Sequence, residues 1–136
     1  MYKPETMEEL ADIWYDNNDA DHDRNYRYNP SRYHMLNLHS CFTRGTIEFR
    51  LFQFDEPHEG RIGGIHCGQL KAYIQLCLAM SQLAKEIKFA IPKPQQTENE
   101  KYAFRCWLLR LGFIGTEFKT ARTLLLKNFS GDGSWR

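Results

Sequence analysis

The run Thr46-Ile47-Glu48-Phe49-Arg50-Leu51-Phe52 alternates polar and apolar side chains with a period of two. A strand turns successive side chains to opposite faces, so Ile47, Phe49 and Leu51 share one side and Thr46, Glu48 and Arg50 the other. A sheet built on this run has an apolar side that must be covered and a charged side that stays open. Alternation alone carries no chemistry, because a solvated face is the ordinary fate of such a strand. The segment before it adds polar groups.

In Tyr33-His34-Met35-Leu36-Asn37-Leu38-His39, Asn37 and His39 fall on one face, and Leu36 and Leu38 on the other. Gly45 follows Cys41 to Arg44, where a hairpin turn calls for positive φ. The two segments are therefore expected to pair as an antiparallel hairpin over about 32–53. With an even number of loop residues, His39 lies across from Glu48 and Asn37 across from Arg50, and four polar groups meet on one face. A three-residue loop would send Asn37 and His39 to the other face.

RYHMLNLHS followed by GTIEFRLF, and then the H-x-G-x-x-KAYI helix from His66, resembles the amidoligases. These belong to the glutamine synthetase and glutamate-cysteine ligase superfamily of ATP-dependent carboxylate-amine ligases. The likeness continues into NEKYAFRCWLLRLGFIG and TEFKTARTLLL, so it runs from about Thr6 over most of the chain. It implies ATP and Mg²⁺ as cofactors, and small-molecule or peptide carboxylates and amines as substrates. It also implies residue roles. Glu48 matches the superfamily's ligand for a divalent ion at the ATP phosphates, and Arg50 the group that meets the transferring phosphoryl or the substrate carboxylate. Arg32 is the nearest match to an upstream phosphate-binding Arg, with Arg24, Arg27 and Arg44 close by. Asn37, His39 and His66 fit the pattern as residues lining the active site.

The chemistry explains why such groups are needed. Joining a carboxylate to an amine is uphill in water, so ATP first turns the carboxylate into an acyl phosphate. Bringing a carboxylate to a triphosphate crowds negative charge, which Mg²⁺ and Arg side chains offset. One strand carboxylate is too few for the ions used in this superfamily. The resemblance therefore implies the C-terminal part of a catalytic domain, a truncated or split form whose partner is the missing N-terminal half or a second copy.

The rest of the chain supplies helices. Thr6 and Glu9 form a capping-box pattern for a helix from Pro4 to about Tyr15, with Leu10, Ile13 and Trp14 as its apolar stripe. Asp16 to Pro30 is polar and reads as a solvated loop; it lacks the Gly and terminal Glu of a calcium loop. Gln53 to Gly64 reads as a second loop, leading to His66 at or just before a helix start, where an anion would be favoured. The helix from about Cys67 to Ile87 carries Leu70, Tyr73, Ile74, Cys77, Leu78 and Met80 to Leu83 on a broad apolar surface, expected to pack on the sheet. Pro92 to Gln96 is a linker. Thr97 or Asn99 starts one more helix and Thr116 the last, with Lys119, Arg122 and Lys127 on a solvated outer side and Gly131 to Ser134 a flexible end.

The expectation is α+β in a single domain over 1–136: helix and polar loop at 1–31, hairpin at 32–53, helices at 66–130. A formal charge of +1 argues against a strong polyanion-binding surface, and so against a nucleic-acid partner, and no apolar run is long enough to span a membrane. Four scattered cysteines without a C-x-x-C pair read as reduced thiols of a cytoplasmic protein. Two other readings fit the residues. One is a metal-dependent hydrolase or nuclease using His39, Glu48 and His66 with Asn37 assisting; the other is a non-catalytic interaction module built on the final helices.

Overall fold

The Thr6 hydroxyl accepts the Glu9 N–H (3.1 Å) and its carbonyl the Leu10 N–H (3.1 Å), which starts helix α1 at Met7–Tyr15. The Glu9 carboxylate reaches back to the Glu5 N–H (2.7 Å), so the expected capping box closes one residue further out. The computed structural model describes residues 4–15, 20–54, 63–91, 93 and 96–134. It divides into two compact units, residues 1–53 and 54–136. Its architecture is α+β, with helices and one two-stranded antiparallel sheet among the described residues.

In the first unit, Ala11 of α1 is buried, whereas Ile13, expected in the apolar stripe, is about half exposed. The polar stretch read as a loop holds a short helix, α2 (Ala20–Asn25), and a 3₁₀ turn (Pro30–Tyr33). Asn17, Asn18 and Asp19 lie outside the described residues. Asn29 fastens this stretch: it is buried, its Oδ1 accepts the Ser31 N–H (2.9 Å) and its Nδ2 donates to Asp23 (3.2 Å).

The hairpin forms, but shorter and in another register. Strand β1 is Leu36–Asn37 and β2 is Glu48–Phe49, and the partners are Leu36 with Phe49 and Asn37 with Glu48. The Arg50 N–H adds a bond to the Met35 carbonyl (2.7 Å). Asn37 thus faces Glu48 rather than Arg50, and His39 is not in the ladder at all. The reason is the connection, which contains a helix, α3 (His39–Arg44), instead of a turn. Leu38 to Ile47 is an even number of residues, so the slip is by two positions and Asn37 stays on the face of Glu48. Gly45 does take positive φ (69°), as the left-handed cap of α3, donating its N–H to the Cys41 carbonyl (3.0 Å). Ile47 lies outside the ladder and is more than half exposed, so the apolar side is narrower than alternation implies.

The second unit contains α4 (Cys67–Glu86), α5 (Glu100–Arg110) and α6 (Lys119–Leu125). Helix α4 packs on α6, burying Ala72, Leu76 and Ala121, and Gly68 leaves room for Thr120 and Leu124. Its buried face is thus set by Gln69, Ala72 and Leu76. Leu70, Ile74 and Leu78, expected inward, are exposed, because they lie on another side of the helix from the α6 contact. Asn99 caps α5 through the Tyr102 N–H (3.0 Å), and Leu108 and Phe113 are fully buried. The last helix starts at Lys119, not Thr116. The end of the chain, expected to be flexible, folds back on α5. Phe129 stacks on Phe104 (4.5 Å), and the Ser130 carbonyl accepts the Lys101 N–H (3.1 Å). Among the described residues no helix is long and apolar enough to cross a membrane. All four cysteines are free.

Candidate functional site

The two-residue ladder places Glu48 directly opposite Asn37, and the two side chains meet: Asn37 Nδ2 donates to Glu48 Oε2 at 2.7 Å. Asn37 is buried, and its other contacts are with the start of α3. Its Nδ2 also donates to Ser40 Oγ (3.1 Å), and its Oδ1 accepts the Ser40 N–H (3.4 Å). The Ser40 N–H lies in the first turn of α3, whose cap residue is Leu38, so Asn37 holds the start of the helix from just outside it. Asn37 therefore ties the strand, the helix and the carboxylate together. The Glu48 side chain is about half exposed, so one side of the carboxylate is held while the rest faces solvent.

Around this carboxylate lies an open basin of about 750 Å³ in the first unit. Arg27, Arg32, Arg44 and Glu48 supply its charges, three guanidinium groups against one carboxylate. Asn37 and His39 also line it. Of the residues expected there, Arg32, Asn37, His39 and Glu48 are brought together. Arg50 stands beside Glu48, with Nη1 at 4.0 Å from Oε2, and donates to the Arg32 carbonyl (3.2 Å). His66 belongs to the second unit, where it is the residue just before α4 and exposed, with no side-chain capping bond.

The arginines are spaced by tyrosines. Arg50 and Arg32 lie over the Tyr33 ring at 5.1 and 5.5 Å, and Arg32 and Arg27 near the Tyr28 ring at 5.9 and 5.6 Å. Ring faces are electron-rich, so cations placed over them are held despite their mutual repulsion. This alternation stands in the sequence as Arg27-Tyr28 and Arg32-Tyr33. It was a legible signal for the cationic wall, and Arg27 and Arg44 join Arg32 in it.

His39 is the buried floor. Its Nδ1 is hydrogen-bonded to the Tyr15 hydroxyl (2.6 Å), and Tyr15 packs on Phe42 of the same helix. Burial, then the Arg32 charge, push the imidazole pKa down, while the Tyr26 backbone and Asp23 pull it part of the way back. The Tyr15 hydroxyl is pushed up to about 12, by burial first and then by the Asp23 carboxylate. The pair is thus neutral near pH 7. Tyr15 was not among the expected site residues, and its spacing from His39 in sequence gave no cue. No group of three or more metal-binding side chains gathers among the described residues.

A family model described as "putative amidoligase enzyme" matches residues 1–81, more than half of the chain. The match contains all the basin residues and ends within α4, so the likeness expected over the final helices lies outside it. No curated protein matches, and no solved structure does.

Proposed function

Since the chain belongs to the amidoligase family, we propose that it acts as an ATP-dependent carboxylate-amine ligase, with the basin around Glu48 as its phosphate and metal site. One observation carries the reading. A strand carboxylate, half exposed and oriented by a buried Asn, stands at a wall of arginines. A single carboxylate suits Mg²⁺, which keeps several waters and is commonly bound by one or two carboxylates together with substrate phosphates. When bound, the ion supplies charge neutralisation at the phosphates.

In this reading Glu48 ligates the ion and Asn37 holds Glu48. Arg32 and Arg50 contact phosphoryl oxygens, with Arg27 and Arg44 adding to the field that draws the anion in. The substrate carboxylate oxygen attacks the γ-phosphorus and ADP leaves. The amine then attacks the acyl carbon, phosphate leaves, and the nitrogen gives up a proton. His39, neutral and bonded to Tyr15, braces α3 beneath these groups. In the second unit, His66 precedes the N-terminal N–H groups of α4, which favour an anion, and is the candidate contact there.

Calorimetric titration with Mg²⁺-ATP tests the proposal. The expected result is saturable binding that requires Mg²⁺ and weakens roughly tenfold or more in Glu48→Gln and in Arg32→Ala, the weight of one charge-assisted hydrogen bond. Equal binding by the folded variants, or none by the folded wild type, would sink it.

A further inference from the structure

A second cationic site lies outside the family match. In the second unit, α5 and α6 border a groove of about 410 Å³ lined by Lys101, Arg105, Lys119, Arg122 and Lys127. Thr123 and Leu126 complete the lining, which contains no Asp or Glu. Helix α6 was expected to turn its basic residues to open solvent. Lys119 and Lys127 are indeed exposed and Arg122 is half-buried, and together they border an open groove with Lys101 and Arg105 of α5.

Gathering like charges is unfavourable unless an anion joins them. Among the described residues, Lys101, Arg105, Lys119 and Arg122 make no ion pair. The two arginines are half-buried and fixed by neutral acceptors: Arg105 Nη1 donates to the Gly133 carbonyl (3.1 Å) and Arg122 Nη1 to the Phe113 carbonyl (2.7 Å). A carbonyl orients a guanidinium without cancelling its charge, and the other N–H donors of each fork stay available. The folded-back end of the chain thus helps to pre-set one of them.

The size and lining select the ligand. The groove falls in the roughly 300–1,000 Å³ range of small-molecule sites. It offers no aromatic ring on which a base could stack, and Leu126 is its one large apolar group. We propose that this groove binds a compact polyphosphate, recognised through its phosphate chain alone. The chain comes either from free polyphosphate or from a nucleotide.

The test uses the full chain carrying Arg32→Ala and Arg44→Ala, which removes two of the three guanidinium groups of the first-unit basin and leaves Glu48 to repel an anion there, in Mg²⁺-free buffer. Tripolyphosphate is titrated and followed by amide chemical shifts and calorimetry. The expected shifts cluster on 101–105 and 119–127, and Lys101→Glu with Lys119→Glu weakens binding at least tenfold while helicity by circular dichroism is unchanged. Lys119→Glu alone, at an exposed position, gives a smaller loss in the same direction. ATP matches tripolyphosphate, and AMP binds at least tenfold more weakly. Shifts elsewhere, or an affinity indifferent to charge reversal, overturn the proposal. So does ATP binding tenfold tighter than tripolyphosphate, which would make the base part of recognition. Tenfold tighter binding of oligouridylate or a polyglutamate peptide would assign the groove to nucleic acid or to an acidic protein instead.

Discussion

Replacing Asn37 with alanine removes the acceptor for the first-turn N–H of Ser40 and the donor to Glu48 at once. The half-buried Ser40 N–H and the half-exposed Glu48 carboxylate both lose a partner, a cost of about 1 kcal/mol for the first and less for the second. Asn37→Asp should keep the acceptor for the Ser40 N–H but set a carboxylate against Glu48, so its deficit shrinks as salt or acid removes the repulsion. Urea denaturation of the two variants at low and high salt distinguishes these effects; equal losses at both would mean that the Glu48 contact contributes nothing. His39 gives a second residue-scale prediction. Burial lowers its folded pKa below the ordinary 6.5, so between those values the unfolded chain binds the extra proton. Its contribution to stability is therefore full above pH 6.5, falls as pH drops through that window, and levels off once the folded imidazole is also protonated. Tyr15, pushed up to about 12, stays neutral throughout and leaves this slope to the histidine. The wild type should lose more stability than His39→Gln between pH 7 and pH 5; parallel profiles would show that His39 does not titrate out of place.

Helix α4 shows at the scale of elements why an apolar sequence can mislead. Leu76→Ala should cost about 2–5 kcal/mol, since Leu76 is almost fully buried among α4 and α6 contacts, while Ile74→Ala and Leu78→Ala should each cost less than about 1 kcal/mol. Urea midpoints for the three variants decide this, and a large loss at Ile74 would mean that its face is covered in solution. The helix existed in the sequence as an apolar, Gly-headed run with His66 just before it, and it is found there. Which face is buried was not legible, because apolar residues circle the helix and small residues, Gly68 and Ala72, set the close approach to α6. Period and parity served better for the hairpin, where Asn37 and Glu48 stayed on one face. The register does not follow from period and parity, since the Asn37 contact to Ser40 and the Gly45 stop bound a short helix where the Gly alone suggests a turn. The same short helix takes His39 out of the strand. The cationic groove on α5 and α6 was invisible for a different reason: only the return of the chain brings those two rows of charge together.

Across the whole molecule, net charge and cysteine spacing both average over features that are local. A formal charge of +1 conceals three arginines at one basin and five basic residues at another groove, each with at most one acid in its lining. The thiols can be argued the same way. Cys41, Cys67, Cys77 and Cys106 are all free, so no disulfide constrains the unfolded chain. The melting temperature should then be the same with and without reductant. The four thiols should nevertheless differ in reactivity, because the thiolate is the nucleophile and both exposure and pKa control its supply. Cys67 is exposed, while the Cys77 thiol is half-buried and burial raises its pKa. Timed alkylation with iodoacetamide at pH 8, mapped by mass spectrometry, should therefore label Cys67 first and Cys77 well after it, with urea removing the difference. A melting temperature that rises under oxidising conditions would show a disulfide forming in solution. Early labelling of Cys77 in the folded protein would mean that α4 opens at that position far more readily than its packing on α6 allows.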